Sequence, residues 1–363
     1  MKIPLNDLNS ENNFLKKEME NLFSEVIEKS NFIGGPELIE FEKEFANYCG
    51  KKYCVGVSSG STALYVSLKC LGIGKGDEVI LPVNTFIATA TAVSLTGAKP
   101  IFVDVGEDCL IDVHKIKEKI SNKTKALIPV HLYGNVCEMD LIKKLASDYN
   151  LKIIEDCAQA HGSKENGKRV PIYGTGCFSF YPSKNLGSIG DAGCIVTDNE
   201  NLTRKIRSFI NHGRSEKYLH SEEGFNFRLD NLKAGILKLK LDFLDDWLLK
   251  KNKLAENYNE LGIDTPRKRD SVFHSYHLYV LKTRFRNELK KYLKDNDVIA
   301  GIHYPIPLHL QPAFEHLSYK EGDFPMAEKL SKKIISLPIY PLMENFKQVK
   351  IKKLIRNFFK NKQ

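Results

Sequence analysis

Short apolar runs alternate with helical segments over the central part of the sequence. The runs are VILP at 79–82, PIFVDV at 100–105, ALIPVH at 126–131, KIIEDC at 152–157, CFSFYP at 177–182 and GCIVT at 193–197. Segments of helical period, such as 138–148, lie between them. Nearly continuous apolar strands that alternate with helices are typical of a parallel sheet covered on both faces. The pattern therefore predicts an α/β domain with a mostly parallel sheet.

Helical patterns lie on both sides of this region. Ser10 can cap a helix whose apolar positions recur three and four residues apart, and a second helix is predicted from Pro36 to a stop at Gly50. After the apolar runs, a much longer helical pattern extends from about 230 to 260. We expect this long helix to connect two parts of the molecule.

The C-terminal third has a pattern of its own. Strand-like runs at 276–281 and 298–304 flank a charged helix near 284–295, which predicts a second, smaller α/β domain. We place the domain boundary within the long helix. This gives a large domain over 1–245 and a small domain over 246–363.

Positive charge is concentrated at the C-terminal end. The chain has 363 residues, of which 42% are hydrophobic, so it is not a disordered chain, and its net charge is +9. Residues 345–363 hold seven Lys or Arg and no acid, so the rest is close to neutral. Apolar residues recur at helical spacing in this tail, which fits either an amphipathic helix that binds a membrane or RNA, or a terminal helix docked on the body. We favour the docked helix, because any docked helix shows one apolar stripe.

Eight cysteines indicate a reducing compartment. They stand at positions 49, 54, 70, 109, 137, 157, 177 and 194, with no C-x-x-C motif and no Cys/His cluster. The N-terminal sequence MKIPLNDLNSENN turns polar within a few residues, and no stretch approaches the roughly 18 apolar residues of a membrane span. We expect a cytoplasmic protein that needs no metal site.

A segment rich in Ser and Gly is a candidate phosphate site. Open parallel sheets bind ligands at the carboxyl ends of their strands, and Ser58, Ser59, Gly60, Ser61 and Thr62 lead there from a strand into a helix. Small residues let backbone N–H groups approach an anion, and the helix start adds partial positive charge. Taken alone, Ser and Thr before a helix are also ordinary helix caps.

Three further residues follow other strands. Asp156 ends the run KIIED, where a buried carboxylate implies a cationic partner or ligand, although it can also cap the next helix. Lys184 lies 28 residues later in a turn rich in Ser, Gly and Asn, where most lysines are simply solvated. Phe86 follows VILP and can lie over a ligand or pack in the core. Together, an anion site, an aromatic ring, a carboxylate and a lysine in a closed turn are what pyridoxal phosphate requires.

At these residues the sequence resembles the DegT/DnrJ/EryC1/StrS family of pyridoxal-phosphate sugar aminotransferases. Eight ordered blocks carry the resemblance: FIGGPELIEFEKEFANYCG, GDEVILPVNTFIATATA, GAKPIFVDV, ALIPVHLYG, IIEDCAQAHGS, FSFYPSKNLGSIGDAG, GFNFRLDNLKAGIL and GIHYPIPLHLQPAF. They extend over nearly the whole chain except the tail. The resemblance implies the fold-type I aspartate aminotransferase architecture.

The resemblance also implies roles for individual residues. Lys184 would bind the cofactor covalently and then move a proton between the substrate carbon and C4′ of the cofactor. Asp156 would pair with the pyridinium nitrogen, Gln159 would hydrogen-bond the phenolic oxygen, and Phe86 would stack on the ring. The phosphate would be held by Gly60, Ser61, Thr62, Ser179 and, from the neighbouring subunit, Asn226. Family members are accordingly homodimers with shared active sites.

Four positions depart from the usual family pattern. Ser183 stands where Gly or Thr is usual before KNLG, Ala192 replaces a Gly, Phe227 replaces a Ser, and Lys233 replaces a Gln. None of these changes removes a catalytic group. Because Phe227 is much larger than Ser and lies beside Asn226, it alters the surroundings of the phosphate and the substrate.

The strings HLYG and HYPIPLHLQPAF resemble the branch that aminates nucleotide-linked 3-keto-6-deoxyhexoses. The implied reaction is ping-pong: L-glutamate reloads the cofactor and leaves 2-oxoglutarate, and the amine then moves to C3 of a keto sugar, with dTDP expected as its carrier, for surface glycans such as lipopolysaccharide. His303, Tyr304 and His309 are candidate sugar or nucleotide contacts, or residues that pack the Pro-rich loop.

Three alternatives stay open. The first is amination at C4, although that branch usually has a YIPVH-type string. The second is another enzyme on the same fold; its dehydratase branch has His in place of the lysine, so Lys184 argues against that branch. The third is a non-enzymatic protein that binds through the basic tail.

Overall fold

The computed structural model describes residues 2–360 and residue 362. Within them the chain forms twelve α-helices: α1 (Leu8–Phe14), α2 (Lys16–Lys29), α3 (Pro36–Tyr48), α4 (Gly60–Cys70), α5 (Ile87–Leu95), α6 (Val113–Ile116), α7 (Met139–Asp148), α8 (Glu200–Phe209), α9 (Asn231–Asn259), α10 (Arg286–Asp295), α11 (Pro325–Ser331) and α12 (Asn345–Lys360). The same residues form fourteen β-strands: β1 (Tyr53–Val57), β2 (Glu78–Pro82), β3 (Lys99–Val103), β4 (Thr124–Leu127), β5 (Lys152–Asp156), β6 (Lys164–Glu165), β7 (Lys168–Arg169), β8 (Thr175–Ser179), β9 (Gly193–Thr197), β10 (Arg214–Glu216), β11 (Leu219–His220), β12 (Val272–Phe273), β13 (Tyr279–Lys282) and β14 (Ile334–Leu337).

Seven strands form the central sheet, in the order β1-β9-β8-β5-β4-β2-β3. All of them run parallel except β9, which is antiparallel to both of its neighbours. Residues 180–192, between β8 and β9, contain no helix that could carry the chain across the sheet, so the chain returns beside β8 in the opposite direction. The predicted mostly parallel sheet is confirmed, with one strand reversed.

Most predicted elements form near the expected bounds. Strands β2, β3, β5 and β9 and helices α7, α9 and α10 overlap the segments that the hydrophobic pattern marks. The run ALIPVH forms a strand only as far as Leu127. Pro129 has no N–H to offer to a strand ladder, which is consistent with this early end.

Two predictions are wrong. Asp7, rather than Ser10, caps the first helix: its carboxylate accepts the N–H of Ser10 at 3.3 Å, and Ser10 lies in the first turn. The run 298–304 forms no strand, since it makes only single bridges at Val298 and Gly301. Two neighbouring segments each bridge this run at a single residue, and Val298 and Ala300 are buried although no strand ladder forms.

Buried apolar side chains form two clusters. The larger cluster surrounds the seven-stranded sheet, and the smaller one lies on β13 and β14 with α10 and α12. Helix α9 contributes Leu248 to the larger cluster and Tyr258 to the smaller one, as expected of a connecting helix. The larger cluster also includes Phe314, from the C-terminal segment. The boundary at residue 245 stays a prediction.

The C-terminal helix α12 packs on the smaller cluster. Ile351, Ile355 and Phe358 are buried there, and the ring centroid of Phe358 lies 5.4 Å from that of Tyr292 on α10. The docked-helix interpretation of the basic tail is therefore confirmed over 345–360; positions 361 and 363 of that tail lie outside the described residues. None of the described helices is both long and apolar enough to cross a membrane.

Ile355→Ala tests the docking of α12. The Ile355 side chain is buried in the smaller cluster, so we expect this substitution to lower the free energy of unfolding by about 2–4 kcal/mol. Val349→Ala is the matched control, because Val349 lies on the same helix with 56% of its surface exposed. The control should change that free energy by less than about 0.5 kcal/mol. Urea unfolding followed by circular dichroism measures both, and equal effects would contradict the docking.

Candidate active site

A cavity of about 550 Å³ lies at the carboxyl ends of the parallel strands. Its walls come from the ends of β5 and β8, the starts of α4 and α5, the loop after β8, and two C-terminal segments around 277 and 303–304. Most of the predicted site residues line it: Gly60, Ser61, Phe86, Asp156, Gln159, Ser179, Lys184, His303 and Tyr304. The structure thus brings these residues together at the sheet edge where ligands of such sheets bind.

Lys184 lies in the loop that follows β8. Its backbone N–H donates to the carbonyl oxygen of Tyr181 at 2.8 Å, and its half-buried side chain lines the cavity. Burial lowers the pKa of Lys184 to about 8, while the nearby Asp156 carboxylate acts in the opposite direction. About a tenth of the amine is then uncharged at pH 7, against less than about a thousandth for an ordinary lysine. The uncharged amine is the form that attacks a carbonyl carbon.

Asp156 ends β5 and is buried. One of its carboxylate oxygens accepts the hydroxyl of Thr89 at 2.8 Å, and the other accepts the backbone N–H of Ala158 at 3.1 Å. Burial raises the pKa of Asp156, whereas these two hydrogen bonds and the charge of Lys184 lower it. A carboxylate held in this way still offers lone pairs to a cationic group in the cavity.

Gln159, Tyr304 and Phe86 form one wall of the cavity. The amide nitrogen of Gln159 donates to the Tyr304 hydroxyl at 3.0 Å, and its oxygen accepts the backbone N–H of Tyr133 at 2.8 Å. The ring centroids of Phe86 and Tyr304 lie 5.8 Å apart. Phe86 is 52% exposed, so its ring is part of the cavity wall and is not packed in the core.

The start of α4 presents backbone N–H groups to the cavity. The Ser59 hydroxyl accepts the N–H of Thr62 at 3.1 Å and so caps the helix. The N–H groups of Gly60 and Ser61 come first in the helix, where no intrahelical carbonyl can reach them. A Cβ atom at residue 60 would lie 2.5 Å from the Cβ of Ser179, so this close approach of α4 to β8 requires glycine. Free N–H groups at a helix start are suited to binding a phosphate.

Two of the predicted phosphate ligands do not line the cavity. The Thr62 hydroxyl lies 3.0 Å from that of Ser58 and 2.9 Å from that of Ser59, so it supports the helix cap. Asn226 is exposed, and its side-chain oxygen accepts a hydrogen bond from Arg228 at 3.1 Å. Asn226 therefore has no contact with the cavity of its own chain.

His309 does not line the cavity, so of its two predicted roles the structure favours packing of the Pro-rich loop. Its ring is buried, and its Nε2 lies 3.0 Å from a carboxylate oxygen of Glu328. Its ring centroid is 4.7 Å from that of Phe324. These contacts fix the Pro-rich loop, as the packing alternative expects for this residue.

Two histidines in the cavity wall are held uncharged. Burial lowers the pKa of His303 to about 4 and that of His277 well below its ordinary value, and the charge of Lys184 acts in the same direction. The Nδ1 of His303 lies 2.8 Å from the hydroxyl of Ser336. The Nδ1 of His277 is buried without a hydrogen-bond partner among the described residues. A buried nitrogen without a protein partner normally forms a hydrogen bond to water or to a bound group.

Sequence reasoning missed several lining residues, among them His277 and Thr89. The sequence offered a signal for Thr89, because it follows Thr85 by four positions, about one helical turn. In the structure the two hydroxyls lie 3.1 Å apart. His277 stands just before β13, in the part of the chain assigned to the other domain, and has no local signal. It reaches the cavity only through the tertiary fold.

A buried polar cluster next to the cavity is already saturated. His131, Glu155 and Cys157 offer metal-binding atoms within 4.8 Å of one another. Glu155, however, accepts three backbone N–H groups from residues 172–174 at 2.6 to 2.7 Å and bonds His131 at 2.9 Å. Four hydrogen bonds occupy the lone pairs of a carboxylate. The cluster therefore ties segment 172–174 to β5.

Comparison with known proteins identifies the family. The model of the DegT/DnrJ/EryC1/StrS aminotransferase family matches residues 13–356. A protein of Geobacillus stearothermophilus named pleiotropic regulatory protein is 39% identical over 99% of this chain and 100% of its own length. The dTDP-3-amino-3,6-dideoxy-alpha-D-galactopyranose transaminase of Aneurinibacillus thermoaerophilus is 41% identical over 94% of this chain and 95% of its own length.

The fold is shared with solved structures of such enzymes. The crystal structure of S. venezuelae DesV in complex with a ketimine intermediate matches with a TM-score of 0.96 at 38% identity, and the match covers 98% of each chain. The predicted architecture is thereby confirmed. The cavity residues, the family model and the full-length relatives agree: the chain belongs to the DegT/DnrJ/EryC1/StrS aminotransferase family and is a pyridoxal-phosphate-dependent aminotransferase.

Proposed function

We propose that the protein transfers the amino group of L-glutamate to C3 of a dTDP-linked 3-keto-6-deoxyhexose, in the synthesis of an amino sugar for surface glycans. The observation that carries the proposal is a half-buried lysine, Lys184, with a pKa of about 8, in one cavity with Asp156 and an open helix start. The name of the A. thermoaerophilus relative supports both the sugar and the position, since it describes an amino group at C3. Amination at C4 is the alternative to be tested.

The cavity residues fit pyridoxal phosphate. The missing side chain at Gly60 lets α4 approach β8 closely, which leaves the N–H groups of Gly60 and Ser61 and the hydroxyl of Ser179 to hold the phosphate. Phe86 offers a ring face for stacking, and Asp156 offers a carboxylate to the ring nitrogen. When bound, the cofactor supplies a conjugated ring that accepts the electron pair of the bond broken next to the amine.

Lys184 acts first as the covalent anchor and then as the proton carrier. Its Nζ would hold the cofactor covalently before the amino donor binds. The free amine of Lys184 would then take the proton from the substrate carbon and return it at C4′ of the bound cofactor. Because burial lowers its pKa to about 8, this amine can both accept and release a proton near neutral pH.

Asp156 and Gln159 set the charge on the ring. Asp156 keeps the ring nitrogen protonated, and its own ionised form depends on hydrogen bonds from Thr89 and Ala158, because burial raises its pKa. Gln159 uses one amide N–H for Tyr304 and has the other for the phenolic oxygen.

His303 and Tyr304 are proposed contacts of the sugar or the nucleotide. Both line the cavity, and burial lowers the pKa of His303 to about 4 and raises that of Tyr304 above its ordinary value. Both side chains are then neutral at physiological pH. Neutral groups that donate and accept hydrogen bonds suit sugar hydroxyls without attracting additional anions.

We also propose a cytoplasmic homodimer with shared sites. Phe86, Tyr181 and Ile189 belong to the cavity wall or its loop and are 52%, 54% and 47% exposed. Large apolar side chains grouped at a cavity are typical of a surface that another chain covers. Asn226, exposed on one subunit, would reach the phosphate in the other. All eight cysteines are free thiols, which supports a reducing compartment.

The pH dependence of cofactor capture tests Lys184. Only the uncharged amine attacks the aldehyde of pyridoxal phosphate, so the rate of covalent capture by the apoenzyme should rise with pH, with a midpoint at about 8, and then level off. In Asp156→Asn the charge that raises the Lys184 pKa is gone, so the midpoint should move to lower pH. Stopped-flow absorbance measures both rates. A midpoint near 10.5, the ordinary lysine value, would contradict the assignment.

A panel of 3-keto and 4-keto nucleotide sugars tests the reaction. With L-glutamate and the holoenzyme, we expect 2-oxoglutarate release to be at least ~100-fold faster with the matching 3-keto sugar, because a misplaced carbonyl loses the near-attack geometry. Lys184→Ala should give no turnover in a protein with an unchanged far-ultraviolet spectrum. Faster turnover of the 4-keto sugars would move the proposal to C4, and a coloured holoenzyme that does not react with glutamate would reject aminotransfer from this donor.

Mixed dimers test the shared site. Subunits carrying Lys184→Ala and subunits carrying Asn226→Ala are each impaired, but a hybrid dimer contains one site with both native residues. Random equal mixing makes half of the dimers hybrid, so about a quarter of all sites should regain native cofactor affinity and rate. Titration of the mixture with pyridoxal phosphate, followed by turnover, measures this fraction. Equal behaviour of the mixture and the separate variants would rule out sharing through Asn226.

A further inference from the structure

Two buried lysines of α9 lie behind the loop that carries Lys184. Lys240 and Lys251 are 2% and 5% exposed. They are eleven positions apart on one helix, close to three full turns, so their side chains leave the same face. Both side chains project toward the loop rather than toward solvent, because both donate hydrogen bonds to loop residues.

The positive charges of these lysines are poorly compensated. Among the described residues Glu11, on α1, is the acid that raises the pKa of each, but burial has the larger effect and lowers both, that of Lys251 to about 8. Glu11 itself is buried, which raises its pKa. A buried ammonium group costs free energy, which a nearby acid and hydrogen bonds offset only when their geometry is good. The groups to which these two lysines donate hydrogen bonds therefore indicate what they do.

Lys240 holds the backbone of the loop. Its Nζ donates to the carbonyl oxygen of Gly187 at 2.9 Å and lies 3.3 Å from the side-chain oxygen of Asn12 on α1. At the other end of the loop, the amide of Asn6 donates to the carbonyl oxygen of Ser183 at 3.1 Å. The loop is thus fixed on both sides of Lys184 by groups from α9 and from the N-terminal segment.

Lys251 holds the residue next to Lys184. Its Nζ donates to the side-chain oxygen of Asn185 at 2.8 Å, and the amide nitrogen of Asn185 donates to the carbonyl oxygen of Ser275 at 2.9 Å. Ser275 lies two residues before His277 of the cavity wall. Asn185 therefore joins three separate elements: the loop, α9 and the segment that carries His277.

We infer that Lys240 and Lys251 are positioning residues of the aminotransferase site, which hold the loop 183–188 from behind and so aim the Nζ of Lys184 into the cavity. The inference rests on the proposed role of Lys184. Hydrogen bonds from an ammonium group are stronger than those from a neutral donor. A displacement of about 1 Å at a reacting group can cost about a hundredfold in rate, which explains why charge is retained here despite its burial.

The test compares two neighbouring lysines. Lys251→Met removes the buried donor, and Lys250→Met is the matched control, because Lys250 is 47% exposed at its side chain and pairs with Asp246 at 2.7 Å on the surface. We expect Lys251→Met, which leaves Glu11 and the side-chain oxygen of Asn185 without this cation, to unfold at a lower temperature than wild type but to be folded at the assay temperature. It should slow both the covalent capture of pyridoxal phosphate and the glutamate half-reaction by about 10- to 100-fold. Lys250→Met should stay within about twofold of wild type in both rates.

A double-mutant cycle separates positioning from general stability. If Lys251 acts through Asn185, then Lys251→Met should slow the reaction by less than about twofold when Asn185→Leu is already present. Independent, multiplying effects of the two substitutions would overturn the inference, as would a Lys251→Met rate equal to that of Lys250→Met. Should Lys251→Met not fold, Lys240→Met with Lys238→Met as its control gives the same comparison. A wild-type protein that captures no cofactor on Lys184 would instead refute the proposed function.

Discussion

The site depends on two opposite charges that share one desolvated cavity. Burial alone would neutralise both groups, since it lowers the pKa of Lys184 and raises that of Asp156. Each charge supports the other, and backbone and hydroxyl donors support the carboxylate, so neither group needs a dedicated counter-ion of fixed charge. A lysine that is easily deprotonated, beside a carboxyl group supported by hydrogen-bond donors and by the charge of that lysine, is the combination that transamination requires.

The sheet topology explains how these groups meet. Strands β5 and β8 are parallel neighbours, so Asp156 and Ser179 reach the same edge although 23 residues separate them in sequence. Because β9 runs antiparallel to β8, the loop of residues 180–192 connects the two strands, and no crossover helix is needed. That loop remains at the edge of the sheet, where it can carry Lys184 over the cavity. A helical crossover at this point would have taken the chain away from the site.

The features that depend on a local sequence pattern could be predicted. Lys184, Asp156 and Gly60 follow apolar runs at strand ends, and most of the sheet follows from those runs. His277 and Lys251 were not predicted, because their roles come from contacts between distant segments. In a sequence, a buried lysine within a helical pattern cannot be distinguished from a solvated one. The sequence left two roles open for His309 for a related reason: its partner, Glu328, lies on another element.

The charge of the cavity supports a shared site. The proposed substrates, a nucleoside diphosphate sugar and glutamate, and the phosphorylated cofactor all bring negative charge. Among the residues that line the cavity, Lys184 is the one Lys or Arg, two acids, Asp156 and Asp191, line it as well, and burial keeps His277 and His303 uncharged. The helix start of α4 can serve one phosphate. Further anions would remain uncompensated in this low-dielectric space, which is consistent with the proposed dimer, whose second chain would supply further groups.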